Sequence, residues 1–295
     1  MLKEEILHIL RCPACAGQFS LISPEKITCR SCQAIYNQEA GIWLLAKKQA
    51  DDVWDISYTQ AGQDALNYFA AKLQKVNPDS IVFKSYYVFV ELLYQHLKGK
   101  KVKNYLDIGC GSGSYSLALT KKILPANIIL LDYSLPALRL ARDLFAKFNI
   151  ECSLIYADAF NLPLIDNCID LSITSGLFEH FQEDKQKLLI KEECRVSQYV
   201  SCHLPGNFWP YWLYRFVVTM INRGWPFGYE QPLKPKQTLS FFQDNGLNLV
   251  AFGYHNLYSS IIWSNPDKYK FLEKLYFQPL ADFFSKYEYA QIFKK

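Results

Sequence analysis

The sequence has no apolar run long enough to cross a bilayer. Its most apolar stretches, such as Phe216 to Ile221, fall far short of the ~20 residues a spanning helix needs. Met1-Leu-Lys-Glu-Glu-Ile-Leu-His lacks the basic start and apolar centre of a secretion signal, so a cytoplasmic location is expected. Charge of one sign is also scarce. The net charge is +4 and the pI about 8.4, too weakly basic to imply a nucleic-acid partner. Methionine is nearly missing, with 2 residues against 46 aromatic ones (6 Trp, 20 Tyr, 20 Phe). Half of the chain is apolar and 20% is charged, which excludes wholesale disorder. At ~150 residues per domain, 295 residues predict two domains, or one core with appendages.

What is present begins with nine cysteines. Without a secretion signal they read as reduced thiols or metal ligands. Cys110, Cys152, Cys168, Cys194 and Cys202 are scattered singly, whereas Cys12-Pro-Ala-Cys15 and Cys29-Arg-Ser-Cys32 form two C-x-x-C pairs separated by 13 residues. Each pair makes a tight turn that presents two thiolates, and two such turns complete a tetrahedral set. A closed four-sulfur shell has no open position, so the expectation is a structural zinc ion on Cys12, Cys15, Cys29 and Cys32. Metal would also stabilise a ~45-residue segment too small for its own core.

Leu10-Arg-Cys-Pro-Ala-Cys-Ala-Gly-Gln-Phe, the second pair, Ile35-Tyr36 and Gly41-Ile-Trp-Leu-Leu45 together resemble the small zinc-ribbon proteins that bind and activate tRNA, rRNA and release-factor methyltransferases. The resemblance covers roughly residues 5–46. It implies a ribbon, residues 1–46, that docks on or extends a methyltransferase without taking part in the chemistry.

Residues 47–103 read as a helical linker or cap. Asp64 to Lys75 and Tyr86 to Leu97 show apolar residues at helical spacing, as expected of packing helices. From Asn104 short apolar runs alternate with helical segments. Tyr105 to Gly109, Asn127 to Asp132, Cys152 to Tyr156, Ile169 to Thr174 and Tyr199 to His203 read as strands. Tyr115 to Lys122, Leu135 to Phe148 and Asp184 to Cys194 read as helices between them. Such alternation predicts an α/β fold with a doubly wound, mostly parallel sheet. Beyond it, Pro235 to Asn245 reads as a helix, and Leu247 to Gly253 and Tyr289 to Phe293 as strands.

Ligands of such sheets bind at the carboxyl ends of the strands. There the sequence has Asp107-Ile-Gly109-Cys110-Gly111-Ser112-Gly113. A dinucleotide loop would need its third glycine at position 114, which is Ser114. The D-x-G-x-G-x-G form instead resembles the first motif of class I S-adenosylmethionine (SAM) methyltransferases. That resemblance, over about 104–295, implies a seven-stranded, Rossmann-like sheet closed by an antiparallel hairpin, with SAM as cofactor. Asp107, Gly109, Gly111 and Gly113 would then shape its site. Asp132, 19 residues past Gly113, would accept the ribose hydroxyls, and Asp158 the adenine amino group. Tyr133, Ala159 and Ser175 would stand beside them. Without the resemblance, the three acids are also good turn and helix caps.

The reaction itself asks little of the protein, because the cofactor carries the activated methyl group. A base is required only where the acceptor keeps its proton at neutral pH. His180, in Gly176-Leu-Phe-Glu-His180, is the candidate for that catalytic role; the other reading is that it orders its loop by bonding a backbone carbonyl. Gly176 stands where a Glu-x-x-Glu-His metal site of some relatives would need its first acid. The aromatic insertion 205–234 suits an apolar or ring-bearing acceptor, or contact with a membrane surface through 208–227. Three functions fit: methylation of a small or lipid-like acceptor, methylation of RNA or protein with the ribbon as recognition module, and a non-catalytic SAM-binding scaffold. The intact acids favour catalysis, and the scarcity of basic residues in the insertion favours the small or lipid-like acceptor.

Overall fold

In the computed structural model, residues 4–48, 53–75, 77–80, 83–84, 87–225, 228–255 and 288–295 are described. The N-terminal segment forms α1 (Glu4–Ile9) and four short antiparallel-linked strands, β1 (Phe19–Ser23), β2 (Lys26–Cys29), β3 (Ile35–Glu39) and β4 (Ile42–Leu44). Two helices follow, α2 (Val53–Lys75) and α3 (Val88–Leu97). The α/β part then runs β5 (Asn104–Ile108), α4 (Ser114–Leu119), β6 (Asn127–Asp132), α5 (Leu135–Lys147), β7 (Ser153–Tyr156), β8 (Ile169–Ser175), α6 (Glu183–Val196) and β9 (Ser197–Pro205). It closes with α7 (Trp209–Asn222), α8 (Pro235–Gln243), β10 (Asn248–His255) and β11 (Glu288–Lys294).

The strands lie in the order β1-β2-β3-β4-β7-β6-β5-β8-β9-β11-β10, eleven in all. Neighbours from β4 through β9 pair parallel, and β11 runs antiparallel to both β9 and β10. The sheet therefore exceeds the seven strands expected. The reason lies in Ile42-Trp-Leu44, whose first two side chains are buried and whose backbone pairs parallel with Leu154 to Tyr156. A β7 left as a bare sheet edge would expose unpaired backbone groups, and β4 covers it. Through β4 the N-terminal strands thus extend the main sheet.

Period-two alternation sends successive strand residues to opposite faces. Tyr105, Ile128 and Leu130 pack with Leu66, Phe89, Leu117 and Leu144 on one side. Leu106, Ile129 and Leu131 pack with Ile6, Leu189, Ile190 and Phe242 on the other. The helix starting at Leu135 begins as the sequence suggests. Ser134 accepts from the Ala137 N–H (3.3 Å), and a proline occupies its first turn.

Two helices differ from expectation. α2 begins at Val53, eleven residues before the expected Asp64, with a break at Gly62 (φ 35°, ψ −126°) that hid its continuity. The insertion contains a full helix, α7. Parts of the expected elements, including Tyr86, Pro226 and Phe227, lie outside the described residues. Among the described residues no helix is long and apolar enough to cross a membrane.

Candidate functional site

Strand order reverses direction at β5, whose neighbours are β6 and β8. At such a switch point the loops leaving the strands part and open a crevice. A cavity of about 790 Å³ lies there, lined by residues from the ends of β5, β6, β7 and β8. Of the cofactor residues expected from sequence, Gly109, Gly111, Asp132, Tyr133, Asp158, Ala159 and Ser175 line it, as does His180. Asp107 and Gly113 stand behind its wall. A Cβ at Gly113 would press on Phe145 at 3.0 Å and Ala141 at 3.3 Å, so that glycine lets α5 pack close. Asp107 is buried, its carboxylate accepting from the Ser116 hydroxyl, and burial pushes its pKa up to about 7.

The two acids at the cavity are held by local backbone. Asp132 accepts from the N–H of Gly111 and of Ser134, one on each carboxylate oxygen, both at 2.8 Å. Asp158 accepts from the Phe160 N–H at 2.8 Å. The capping reading and the binding reading are therefore compatible. Each bond fixes the carboxylate's direction, and a carboxylate oxygen retains further acceptor capacity. Gly111 adopts φ +53°, and a Cβ there would collide with the Tyr58 hydroxyl. Only glycine serves at this point.

The aromatic wall was not read from sequence. Trp54, Tyr58 and Phe69 of α2, together with Tyr87, Tyr115, Phe160 and Phe181, make the cavity strongly aromatic. α2 reaches across the opening: Asp55 accepts from the Ser134 hydroxyl at 2.5 Å, and Trp54 meets the His180 ring edge-on at 4.9 Å. This part of the expected helical linker or cap, which begins before the stretch read as a packing helix, is a wall of the site. Its signal was weak because Val53-Trp-Asp-Ile-Ser-Tyr58 mixes polar and aromatic residues before a glycine break.

His180 donates from Nδ1 to the Tyr229 carbonyl at 2.8 Å, and burial lowers its pKa. This bond ties the loop after β8 to the chain beyond α7. The Gln231 N–H donates to the Glu179 carbonyl at 2.7 Å in the same strap. The adjoining Glu179 side chain is buried, which pushes its pKa well up.

The four N-terminal cysteines converge as their spacing implies. All four Sγ atoms lie within 4.8 Å of one another, with Cys12 and Cys32 at 3.7 Å and Cys15 and Cys29 at 3.4 Å. A tetrahedral ion with ~2.3 Å bonds to sulfur spaces its ligands about 3.8 Å apart, so the donor set fits. Ala16 and Gln33, each just past its C-x-x-C pair, take φ +60° and close the two turns. The Asn161 side chain donates to the Pro13 carbonyl at 3.0 Å, joining the first cysteine turn to the loop that carries Asp158.

Comparison with known proteins agrees with this geometry. Residues 106–198 match the methyltransferase domain family. The chain is 30% identical over 117 residues to a chloroplastic 2-methyl-6-phytyl-1,4-hydroquinone methyltransferase of Oryza sativa subsp. japonica, covering 39% of this chain and 32% of that protein. It is 39% identical over 103 residues to a malonyl-[acyl-carrier protein] O-methyltransferase of Xylella fastidiosa, 34% of each. These matches span about a third of the length of the curated relatives. Magnesium protoporphyrin IX methyltransferase from Synechocystis, solved with bound SAH, shares the fold at a TM-score of 0.50 and 15% identity, over 82% of this chain and 98% of that one. Residues 106–198 thus match a methyltransferase domain, and the chain shares the fold of a methyltransferase solved with bound SAH.

Proposed function

We propose that this protein transfers a methyl group from SAM to a small or lipid-like acceptor, with a structural zinc ion held by Cys12, Cys15, Cys29 and Cys32. The observation that carries the reading is the cavity's mixed chemistry. Asp132, Asp158 and the glycine turn at 109–111 line it together with the rings of Trp54, Tyr58 and Phe69. Bound SAM would supply an electrophilic methyl group on a sulfonium. Asp132 and Asp158 hold its polar parts, while the aromatic walls exclude water and align an apolar acceptor. Asp107 and Gly113 act from behind, shaping the loop. His180 orders that loop through its bond to Tyr229.

The lipid-like end of this range is supported by α7. Trp209, Trp212, Leu213, Phe216, Val217 and Met220 recur at helical spacing and are all exposed, Phe216 by 64% and Met220 by 66%. Arg215, the helix's single charged residue, folds back to the Glu230 carbonyl at 3.0 Å. A helix with this face and interfacial tryptophans suits the surface of a membrane, and the strap at Tyr229 leads from it to the cavity.

The test is transfer of label from SAM to fractionated cell extract. Label is expected in the organic-soluble pool. Asp132→Ala should weaken SAM binding by ~1.5–3 kcal/mol, the scale of a charged hydrogen bond, as read by calorimetry. Label confined to RNA or protein would overturn the acceptor assignment.

A further inference from the structure

A chain of polar side chains leads away from the cavity wall. Ser175, at the end of β8, lines the cavity. Its Oγ lies 3.1 Å from Nδ1 of His203, directly across the parallel β8–β9 pairing. The other ring nitrogen, Nε2, lies 3.2 Å from Oε2 of Glu288 on β11. His203 is only 3% exposed, and its ring is held between Phe89 (5.7 Å) and Tyr115 (5.5 Å). Three adjacent strands thus bring hydroxyl, imidazole and carboxylate next to one another, starting from the cavity.

The order of the groups sets the proton positions. Nε2 sits beside the Glu288 carboxylate at 3.2 Å without the alignment of a hydrogen bond; the negative charge there favours the proton on Nε2, which leaves Nδ1 to accept from the Ser175 hydroxyl. The Ser175 oxygen then has its lone pairs available towards the cavity. This is the arrangement by which an oriented imidazole activates a hydroxyl.

We propose that Ser175, His203 and Glu288 form a proton relay, and that the acceptor methylated in this cavity is a hydroxyl group. The inference rests on the methyltransferase reading above. As the acceptor oxygen bonds to the methyl carbon, the carbon–sulfur bond breaks and its electron pair stays on sulfur. The acceptor's proton passes to Ser175 Oγ while the serine's own proton passes to Nδ1 of His203. The imidazolium so formed is stabilised by Glu288 and later releases its proton to solvent. Phenols and alcohols keep their protons at neutral pH and require this help. Thiols ionise more readily and do not. Among the described residues, Tyr115 and Glu288 are titratable groups beside the ring, and Glu179 in turn faces Glu288 and Glu230.

The experiment measures tritium transfer from labelled SAM to a panel of phenols and matched aryl thiols, with SAM affinity measured separately by calorimetry. The wild type should methylate phenols, with a rate that falls on the acid side as the imidazole becomes protonated. His203→Gln should lower the phenol rate by ~10²-fold or more, abolish that acid limb, and leave thiol transfer and SAM affinity within about twofold. Glu288→Gln should act in the same direction on the phenol rate while leaving thiol transfer unchanged. Equal losses on phenols and thiols, an unchanged phenol rate in His203→Gln, or no transfer to any phenol would each overturn the relay. Failure of the wild type to bind SAM would instead overturn the reading of the cavity itself.

Discussion

Burial at Asp107 makes the stability of the core depend on pH. The carboxyl has no exposed route to solvent, and its pKa rises from an ordinary 3.8 to about 7. Glu193, buried with its carboxylate accepting from Ser172 at 2.9 Å, is pushed up to about 8 for the same reason. A folded-state pKa above the unfolded one means that the folded protein binds more protons between the two values. The associated stability is complete below about pH 4 and is lost as pH rises through 7–8. Asp107→Asn, which cannot ionise, should flatten this decline by as much as ~1.4 kcal/mol per pH unit within the window. Urea midpoints at about pH 5, 6 and 7.5 measure it, and parallel slopes in the two proteins would contradict the assignment. At His180 the sign is opposite. Burial lowers its pKa, which favours the neutral ring that donates from Nδ1 to Tyr229.

Among the elements, α2 and α7 carry what the strands cannot. A parallel sheet presents backbone turns and strand-end acids at its crevice, but a closed apolar cavity needs a cover. α2 supplies that cover with Trp54 and Tyr58, and the break at Gly62 divides this part of the helix from the part that packs on α5. α7 presents an apolar face that no described element covers. Lipid vesicles should therefore bind the protein, and paired Phe216→Asp and Met220→Asp changes should weaken that binding by about tenfold or more. Each side chain can contribute ~1.5–3 kcal/mol when fully buried. Co-sedimentation is the measurement, and wild-type protein left wholly in the supernatant would count against membrane contact. Neither helix was fully legible in the sequence. The start of α2 lies in a mixed polar and aromatic stretch, and aromatic stripes such as α7's are as common in cores as on surfaces.

At the scale of the molecule, the cysteine-rich segment and the α/β core act as one body. β4 pairs with β7, the Leu45 N–H donates to the Tyr156 carbonyl at 2.9 Å, and Leu10 bridges to Leu164. Loss of the proposed zinc ion should consequently be felt across the sheet edge. Chelation, or Cys29→Ser, should lower the main thermal transition by roughly 5 °C or more, because metal binding energy is folding energy and 1 kcal/mol shifts a chain of this size by ~2–4 °C. A separate low-temperature step with an unchanged main transition would mean that the segment folds alone. Much of this molecule was legible because its signals are local. Two C-x-x-C pairs, a glycine turn after an apolar strand, and an acid at each of the next two strand ends are short patterns whose neighbours in sequence are also neighbours in space. What only the tertiary structure decided joins residues far apart in the chain. Examples are Asn161 on Pro13, Trp54 on His180, and Ser175 with His203 and Glu288. Those contacts depend on strand order and register, set by long-range burial of alternating faces, and no local pattern encodes which edge β4 will cover or which strand will stand beside β9.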